Sequence, residues 1–419
     1  MANILVLNAG SGSQKVALYA INSNSKAPSA PVWQAQINST TPGQPEGYFV
    51  AQITSIRGKE EMRVSRDSPL PEKLETLIRA SWEGQSAALE TPDQIDLVGH
   101  RVVHGGLEFS RATLVNPQVE STIERLGELA PLHNPHSLVG ISACREILGS
   151  KVPQFAVFDT AFHRTLSEAA ATYAGPFEWI EKGFVRYGFH GTSFRYASQR
   201  AAGIIGRQND ENLCQILCHL GGGCSLAAVR GTRCVDTTMG FTPLDGIAMC
   251  TRSGAIDPGL MLYLLRHGTD LDSLEQILNK QSGLAGLSGM PGDTRIIFPK
   301  AREHNRRAEL AMAVFIHRLR AGVGSMLASL GHLDALIFTD VIGETEPVVR
   351  ERVCDALGFL DLRLDPNLNA ASPADTDIAA ADSSVRVMIV KGQENWQIAA
   401  ETFEAWSGAG QSREPRLER

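Results

Sequence analysis

Two short stretches of this chain are stripped of side-chain bulk in a way that suits anion binding. Ala9-Gly10-Ser11-Gly12-Ser13 lies between the apolar runs Ile4–Leu7 and Val16–Ile21. LCQILCHLGGGCSLAAV, residues 213–229, repeats the arrangement: apolar strand, small-residue turn, apolar strand. Glycine frees the backbone for unusual dihedrals, and serine adds a hydroxyl donor without blocking approach. Backbone N–H groups beside hydroxyls form a concavity that favours an anion such as phosphate. A single such turn reads equally as an ordinary loose hairpin, for which two residues usually suffice; its recurrence strengthens the anion reading. A third apolar run, Ala335–Thr339, leads into Val341-Ile342-Gly343-Glu344, again with glycine near a strand end. Familiar phosphate motifs are missing. Gly10 and Gly12 could begin GxGxxG, but Lys15 occupies the third glycine position. GxxxxGK[ST], the HRD and DFG pair and the GxSxG elbow do not occur.

The elements that must position these turns follow from pattern and length. At 419 residues the chain exceeds what one core usually serves, so two domains are expected. A hydrophobic content of 43% with 20% charged residues is that of a soluble globular protein. A net charge of −7 without a basic cluster argues against a nucleic-acid partner. Ile4–Leu7 is too short for a signal-peptide core or a membrane span. The seven cysteines are an odd number, and Cys214 and Cys218 have no companion pair at zinc-ligand spacing. Reduced, mostly buried thiols of a cytoplasmic protein are expected.

Strands are expected at Ile95–Val103, which ends in His-Gly-Gly, and at Gln154–Phe158, which closes on Asp159. Helices are expected at Pro71–Glu83 (with Gly84 to end it), Ser121–Leu129, Pro135–Leu148 and Ala308–Leu330. Asn22–Glu46, rich in Ser, Pro, Asn and Gln, reads as loop or irregular edge, and Ser407–Arg419 as a frayed tail. The layout predicts two related α/β halves, each aiming a hairpin at a shared cleft.

NAGSGSQK, GHRVVHGG, LHNPH, VFDTAFH, RYGFHGTS, HLGGGCS, DTTMGFTPLDG and TRSGAIDPG together resemble the acetate kinases, in family order and from Asn3 to about Thr402. The resemblance implies an α/β fold of two duplicated ribonuclease-H-like (actin-like ATPase) domains with a central interdomain cleft. The domains would be residues 1–160 with 396–419, and 161–395. It also implies reversible phosphoryl transfer between ATP and acetate, giving acetyl phosphate and ADP, in a cytoplasmic homodimer with neither nucleic-acid nor membrane partner. Catalytic roles fall to Arg101, Asp159, His190 and Arg252, since a guanidinium forks two N–H bonds onto carboxylate or phosphoryl oxygens. Asp159 either meets Mg2+ or orients Arg101; as a plain structural residue it would cap a helix. His133 reads equally as a site or a structural histidine. The acyl pocket would comprise Val103, Leu132, Phe189 and Pro243, with Arg101 also binding substrate. Nucleotide or phosphate contacts would come from Ser11, Ser13, Lys15, His219, Gly221, Gly222, Gly223, Asp293, Arg295, Ile342, Gly343 and Glu344. Asn8 and Glu394 would be the positions linked to Mg2+ or Mn2+.

This sequence departs from the family pattern mainly on the phosphoryl-donor side. The first loop reads Ser11-Gly12-Ser13 where the family has three serines, and Gly222 stands where it has Asn. Ala255 replaces a carboxylate, and Asp340-Val341-Ile342-Gly343-Glu344-Thr345 replaces AGIGEN, so Val341 is expected to crowd the nucleotide. Pyrophosphate or another nucleotide as donor, and propionate or butyrate as acceptor, are the alternative readings. A non-enzymatic actin-like ATP-binding protein has no reason to keep Arg101, His190 and Arg252 together.

Overall fold

A computed structural model describes residues 1–9, 13–23, 28–38, 46–131 and 133–411. The chain divides into two compact units, Met1–Ala161 with Gln393–Arg419, and Phe162–Gly392.

The first unit is built on an eight-stranded sheet. Strands β1 (Ala2–Ala9), β2 (Ser13–Ile21), β3 (Trp33–Asn38), β4 (Tyr48–Ser55) and β5 (Gly58–Ser65) form an antiparallel meander. On the other side of β1 lies β6 (Leu97–Val102), parallel to it; β7 (Thr113–Leu114) follows in the chain and β8 (Gln154–Phe158) runs parallel to β6. The spatial order is β5-β4-β3-β2-β1-β6-β8-β7, with β7 antiparallel at the edge. Strands β1 and β8 are continuous apolar runs because helices cover both faces of this part of the sheet. Helices Leu70–Arg79 and Asn134–Leu148 pack against Leu5, Leu7 and Val98. Helix Glu394–Gln411 packs on β1 and β6. It comes so close to β6 that a Cβ at Gly99 would collide with Thr402 and Ile398.

The second unit repeats this plan. β9 (Cys214–Leu220), β10 (Cys224–Arg230) and β11 (Arg233–Thr237) are antiparallel. β12 (Ala335–Thr339) is parallel to β9, and β14 (Arg386–Val390) is parallel to β12. A two-residue antiparallel edge, β13 (Thr376–Asp377), completes the order β11-β10-β9-β12-β14-β13. Each unit thus places a hairpin beside two parallel strands and an antiparallel edge, as a duplicated α/β architecture requires. Helix Arg306–Leu330 is long and apolar enough by composition to cross a membrane. Here it is a core helix, burying Met312, Phe315, Leu319 and Val323 and packing on β9, β10 and β11.

Three expectations need correction, and one further segment takes a form the residue pattern did not announce. Asn22–Glu46 contains β3, paired between β2 and β4. Trp33, Ala35 and Ile37 are buried there while Gln34 and Gln36 alternate with them, a period-2 signal masked by polar neighbours. The helix expected to reach Glu83 stops at Arg79, where the Ser81 hydroxyl donates to the Ile78 carbonyl at 2.8 Å and supplants a helical bond. Residues 340–345 form a short helix directly after β12. The C-terminal helix continues to Gln411, into the expected tail.

The cysteines are unpaired, and six of the seven are buried. Burial also pushes the imidazoles of His100, His104 and His163 down to about 4. Each therefore stays neutral in the fold but takes up a proton on unfolding below its ordinary value of about 6.5. The unfolded state binds more protons in that window, so stability falls as pH drops from about 6.5 to 4, by up to about 1.4 kcal/mol per pH unit per histidine. Urea unfolding at about pH 5.5 is expected to show a lower midpoint than at about pH 7.5; equal midpoints contradict this.

Candidate active site

In the first unit, Asn8, Arg101 and Asp159 come from the carboxyl ends of three adjacent parallel strands, β1, β6 and β8. This is where open α/β sheets usually present ligand-binding groups. Asp159 is only 1% exposed and Arg101 16%. Arg101 Nε donates to both carboxylate oxygens of Asp159, at 3.1 and 3.0 Å, and Nη2 donates to Oδ2 at 2.6 Å. Nη1 donates to Asn8 Oδ1 at 3.1 Å. The Asn8 amide in turn donates to Glu394 Oε2 at 3.3 Å and Asn395 Oδ1 at 3.0 Å. The guanidinium plane is therefore fixed by a carboxylate and an amide that are themselves held. Ser137 Oγ donates to the Arg101 carbonyl at 3.0 Å, and the Asn134 side chain bonds both the N–H and the C=O of His104. These contacts anchor the chain on either side of buried Val103. Lys15 stands opposite Asn8 in the β1–β2 register. Ser11 and Leu132 lie outside the described residues, as does the side chain of Ser13. His133 precedes helix Asn134–Leu148 as its cap residue.

The second unit gathers His190, His219 and Arg252 around the β9–β10 hairpin. His190 precedes helix Gly191–Ile204 in a left-handed conformation, φ 58°. Its Nδ1 meets Ser225 Oγ on β10 at 2.8 Å. Its ring stacks on His219 with centroids 4.0 Å apart. His219, near the end of β9, meets Ser193 Oγ through Nδ1 at 2.8 Å and the Asp340 carboxylate through Nε2 at 3.1 Å. The three glycines of the turn have different reasons to be glycine. A Cβ at Gly221 would collide with the Asp340 carboxylate. A Cβ at Gly223 would lie 3.3 Å from the His190 Nε2 and 3.5 Å from Arg252 Nη1. At Gly222 it would meet nothing within 4 Å. The bare backbone thus lets His190 and Arg252 close on one face of the hairpin, while position 222 is open.

Arg252 Nη1 donates to the Pro243 carbonyl at 2.9 Å and contacts Met249 Sδ at 3.7 Å. Burial pushes its guanidinium below the usual arginine value. Among the described residues no carboxylate lies within ion-pair distance of it. Phe189 is buried beside this group, its carbonyl meeting His163 Nε2 at 2.9 Å.

Asp293 and Arg295 pair with each other. Arg295 Nη2 donates to Asp293 Oδ2 at 2.6 Å, and this bonding holds the Asp293 carboxyl below the usual range. Ile342 and Gly343 are buried within the helix Asp340–Thr345, and Val341 on the same helix is half exposed. Glu344, its carboxyl raised by burial, accepts from Gly392 N at 2.8 Å.

Sequence reasoning missed Arg350, which is completely buried. Its guanidinium donates to the carbonyls of Gly343 and Glu344 at 2.7 and 3.1 Å, to Asn369 and to Ser372. It closes the end of the 340–345 helix with neutral acceptors only, and burial brings its pKa down to about 10. The signal was available. Val349, Arg350, Val353 and Cys354 form one buried stripe of their helix, so the arginine sits among core positions. Asp340, Ser225 and Asn395 were also missed; short polar residues beside a turn carry no periodic signal.

A further cluster brings ligand atoms of Cys214, His332 and Asp334 within 4.8 Å of one another. Asp334 already accepts from Arg207 Nη1 at 2.8 Å and Cys214 N at 2.7 Å. It ties the starts of β9 and β12 together.

The profile of the Acetokinase family matches residues 3–400. The chain belongs to the acetokinase family. It is 48% identical over 404 residues to an acetate kinase of Gloeobacter violaceus, covering 96% of this chain and 98% of that one. The acetate kinase of Microcystis aeruginosa is likewise 48% identical over 404 residues, with 96% and 98% covered. Among solved structures, the Porphyromonas gingivalis acetate kinase is similar with a TM-score of 0.86 and 33% identity, covering 97% of this chain and 100% of that one. A propionate kinase from Francisella tularensis is similar with a TM-score of 0.86 and 36% identity, covering 96% and 100%. As an acetokinase-family chain with this repeated sheet order, the protein is a kinase with the duplicated actin-like ATPase fold.

Proposed function

We propose that the protein catalyses reversible, direct in-line phosphoryl transfer between ATP and acetate, giving acetyl phosphate and ADP. The observation that carries this reading is Arg252: a half-buried guanidinium with a carbonyl and a thioether beside it and, among the described residues, no carboxylate. A partly desolvated cation without a counter-charge costs free energy, and an anionic substrate group supplies the missing partner. The transferred phosphoryl spreads its charge over equatorial oxygens, so catalysis rests on positioning and electrostatic stabilisation. Arg252 stabilises that charge. Arg101, locked by Asp159 and Asn8, binds and orients the acyl carboxylate or the phosphoryl in one fixed plane. His190, held at Nδ1 by Ser225, turns Nε2 toward Gly223 and the phosphoryl oxygens. No general base is required, because acetate is already ionised at neutral pH.

Glu394 offers a hard carboxylate oxygen of the kind that suits Mg2+ or Mn2+, beside Asn8, whose amide N–H faces Glu394 and whose Oδ1 is held by Arg101. Such an ion neutralises charge on the phosphate oxygens when bound. Hairpin residues 221–223, with Ser11, Ser13 and Lys15, take the donor phosphates, and His219 supports the hairpin beside them. Asp293, Arg295 and residues 342–344 take the nucleoside. Binding of the acyl group is assigned to Val103, Leu132, Phe189 and Pro243.

The helix Pro258–Arg266 supports a homodimer. It is apolar at every position from Leu260 to Leu265, yet buries no residue, and Tyr263 is 57% exposed. An apolar face of this kind marks an interaction surface. A second copy of the chain is the proposed occupant; neither nucleic acid nor membrane is invoked.

A hydroxamate assay of the purified protein tests the function, with acetate, propionate and butyrate each offered ATP, GTP and pyrophosphate. Acetyl phosphate from acetate and ATP is expected as the fastest product. Propionate should be slower rather than excluded, since one methylene is worth only about 1–3 kcal/mol. No acyl phosphate from any pair removes the reading.

Gly222→Asn is expected to fold normally, because position 222 has open space and no left-handed φ. The added amide should lower the nucleotide KM by roughly 2- to 10-fold, the worth of one hydrogen bond. Steady-state kinetics beside a thermal melt check both parts; a lower melting temperature or an unchanged KM contradicts it.

A further inference from the structure

Asp340 puts a negative charge against the turn that the proposed function assigns to donor phosphates. It is the first residue after β12 and adopts a left-handed conformation, φ 63°. That backbone turn folds Oδ1 onto its neighbour's N–H, Val341 N, at 2.7 Å. Oδ2 faces His219 Nε2 at 3.1 Å. With Ser193 Oγ at Nδ1, the consistent pattern has the serine hydroxyl donating to Nδ1 and Nε2–H donating to Asp340. The proton that His219 could offer a phosphate is therefore given to a carboxylate. The same carboxylate lies directly over Gly221, where it leaves no room for a Cβ. Asp340 is still partly exposed, its side chain 36% accessible, so its charge faces the turn and is not sealed in the core.

A carboxylate in this position repels a polyphosphate strongly, because unit charges a few ångströms apart near a protein surface interact far above thermal energy. A divalent cation reverses the sign. Mg2+ is bound through one or two carboxylates together with substrate phosphates. We propose that Asp340 is a specificity-determining residue that makes donor binding itself, and not only the chemical step, depend on a divalent cation, by pairing its carboxylate with the cation carried by the polyphosphate. The inference rests on the reading of residues 221–223 as the donor-phosphate turn.

Calorimetric titration of the full-length protein with ADP, in Mg2+ and in EDTA, tests it. The wild type is expected to lose roughly 10²-fold in affinity when the metal is chelated. In Asp340→Ala that ratio should fall severalfold, with metal-free ADP binding tighter than to the wild type. Asp340→Asn keeps an acceptor for His219 but removes the charge, so it should behave like Asp340→Ala. Manganese paramagnetic resonance with ADP present should show weaker ion retention in both variants. An unchanged Mg2+/EDTA ratio in both overturns the proposal. A ratio that falls in Asp340→Ala but not in Asp340→Asn assigns the effect to the His219 bond and equally overturns it. Pyrophosphate serves as a second probe: if the wild type binds pyrophosphate and not ADP, the ATP assignment fails, while the cation dependence is read on pyrophosphate. A wild type that binds neither probe in Mg2+ contradicts both.

Discussion

Replacing Arg252 by alanine is expected to lower kcat for acetyl phosphate formation by roughly 10³-fold, the lower end of what a transition-state arginine supplies to phosphoryl transfer. The loss should leave the fold intact. Arg252 has a carbonyl and a thioether as neighbours and, among the described residues, strands no carboxylate when removed. Burial already works against its charge, so the melting temperature should stay constant or rise. Arg252→Lys keeps the charge but not the planar fork and is expected to recover only a small part of the rate. Steady-state kinetics and differential scanning calorimetry on the same preparations check the pair of outcomes. A rate within a few-fold of wild type would remove Arg252 from the chemistry, and a collapse in stability would make it structural instead.

Arg101→Ala should behave differently, and the contrast is diagnostic. Its kcat is expected to fall by roughly a hundredfold or more, but stability should fall as well. Asp159 is buried and receives three hydrogen bonds from this one guanidinium. Removing one partner of a buried pair leaves an uncompensated charge and costs about 3–5 kcal/mol. Adding Asp159→Asn to Arg101→Ala discards that stranded charge, so the double variant should regain stability without regaining activity. Chemical denaturation and turnover measured on all three variants separate the two roles. Recovery of rate in the double variant would show that Arg101 serves only the fold.

Much of this architecture was legible in the residues because one physical cause dominated each element. Gln154–Phe158 and Ala335–Thr339 are strands at the expected bounds, since short apolar β-branched and aromatic runs buried on both faces have few alternatives. The hairpin glycines announced a close approach, and the structure supplies the groups that approach at Gly221 and Gly223. What failed to show was set by individual side-chain contacts and by strand pairing rather than by residue pattern. β3 is a central strand only because β2 and β4 flank it. The early end of the helix after Leu70 depends on one serine hydroxyl. The last carbonyls of the 340–345 helix are collected by Arg350, seven and six residues further along the chain. The pairing of Arg101 with Asp159 joins positions on different strands, and only the assembled sheet brings them within reach.

The most direct test of the central claim follows phosphorus. The purified protein, given acetyl phosphate, ADP and Mg2+, is monitored by 31P nuclear magnetic resonance, with Arg252→Ala as the control. Transfer to the nucleotide predicts that ATP γ-phosphate grows in step with the disappearance of acetyl phosphate in the wild type and barely at all in the variant. Release of inorganic phosphate without ATP, or equal ATP formation by both proteins, would contradict it.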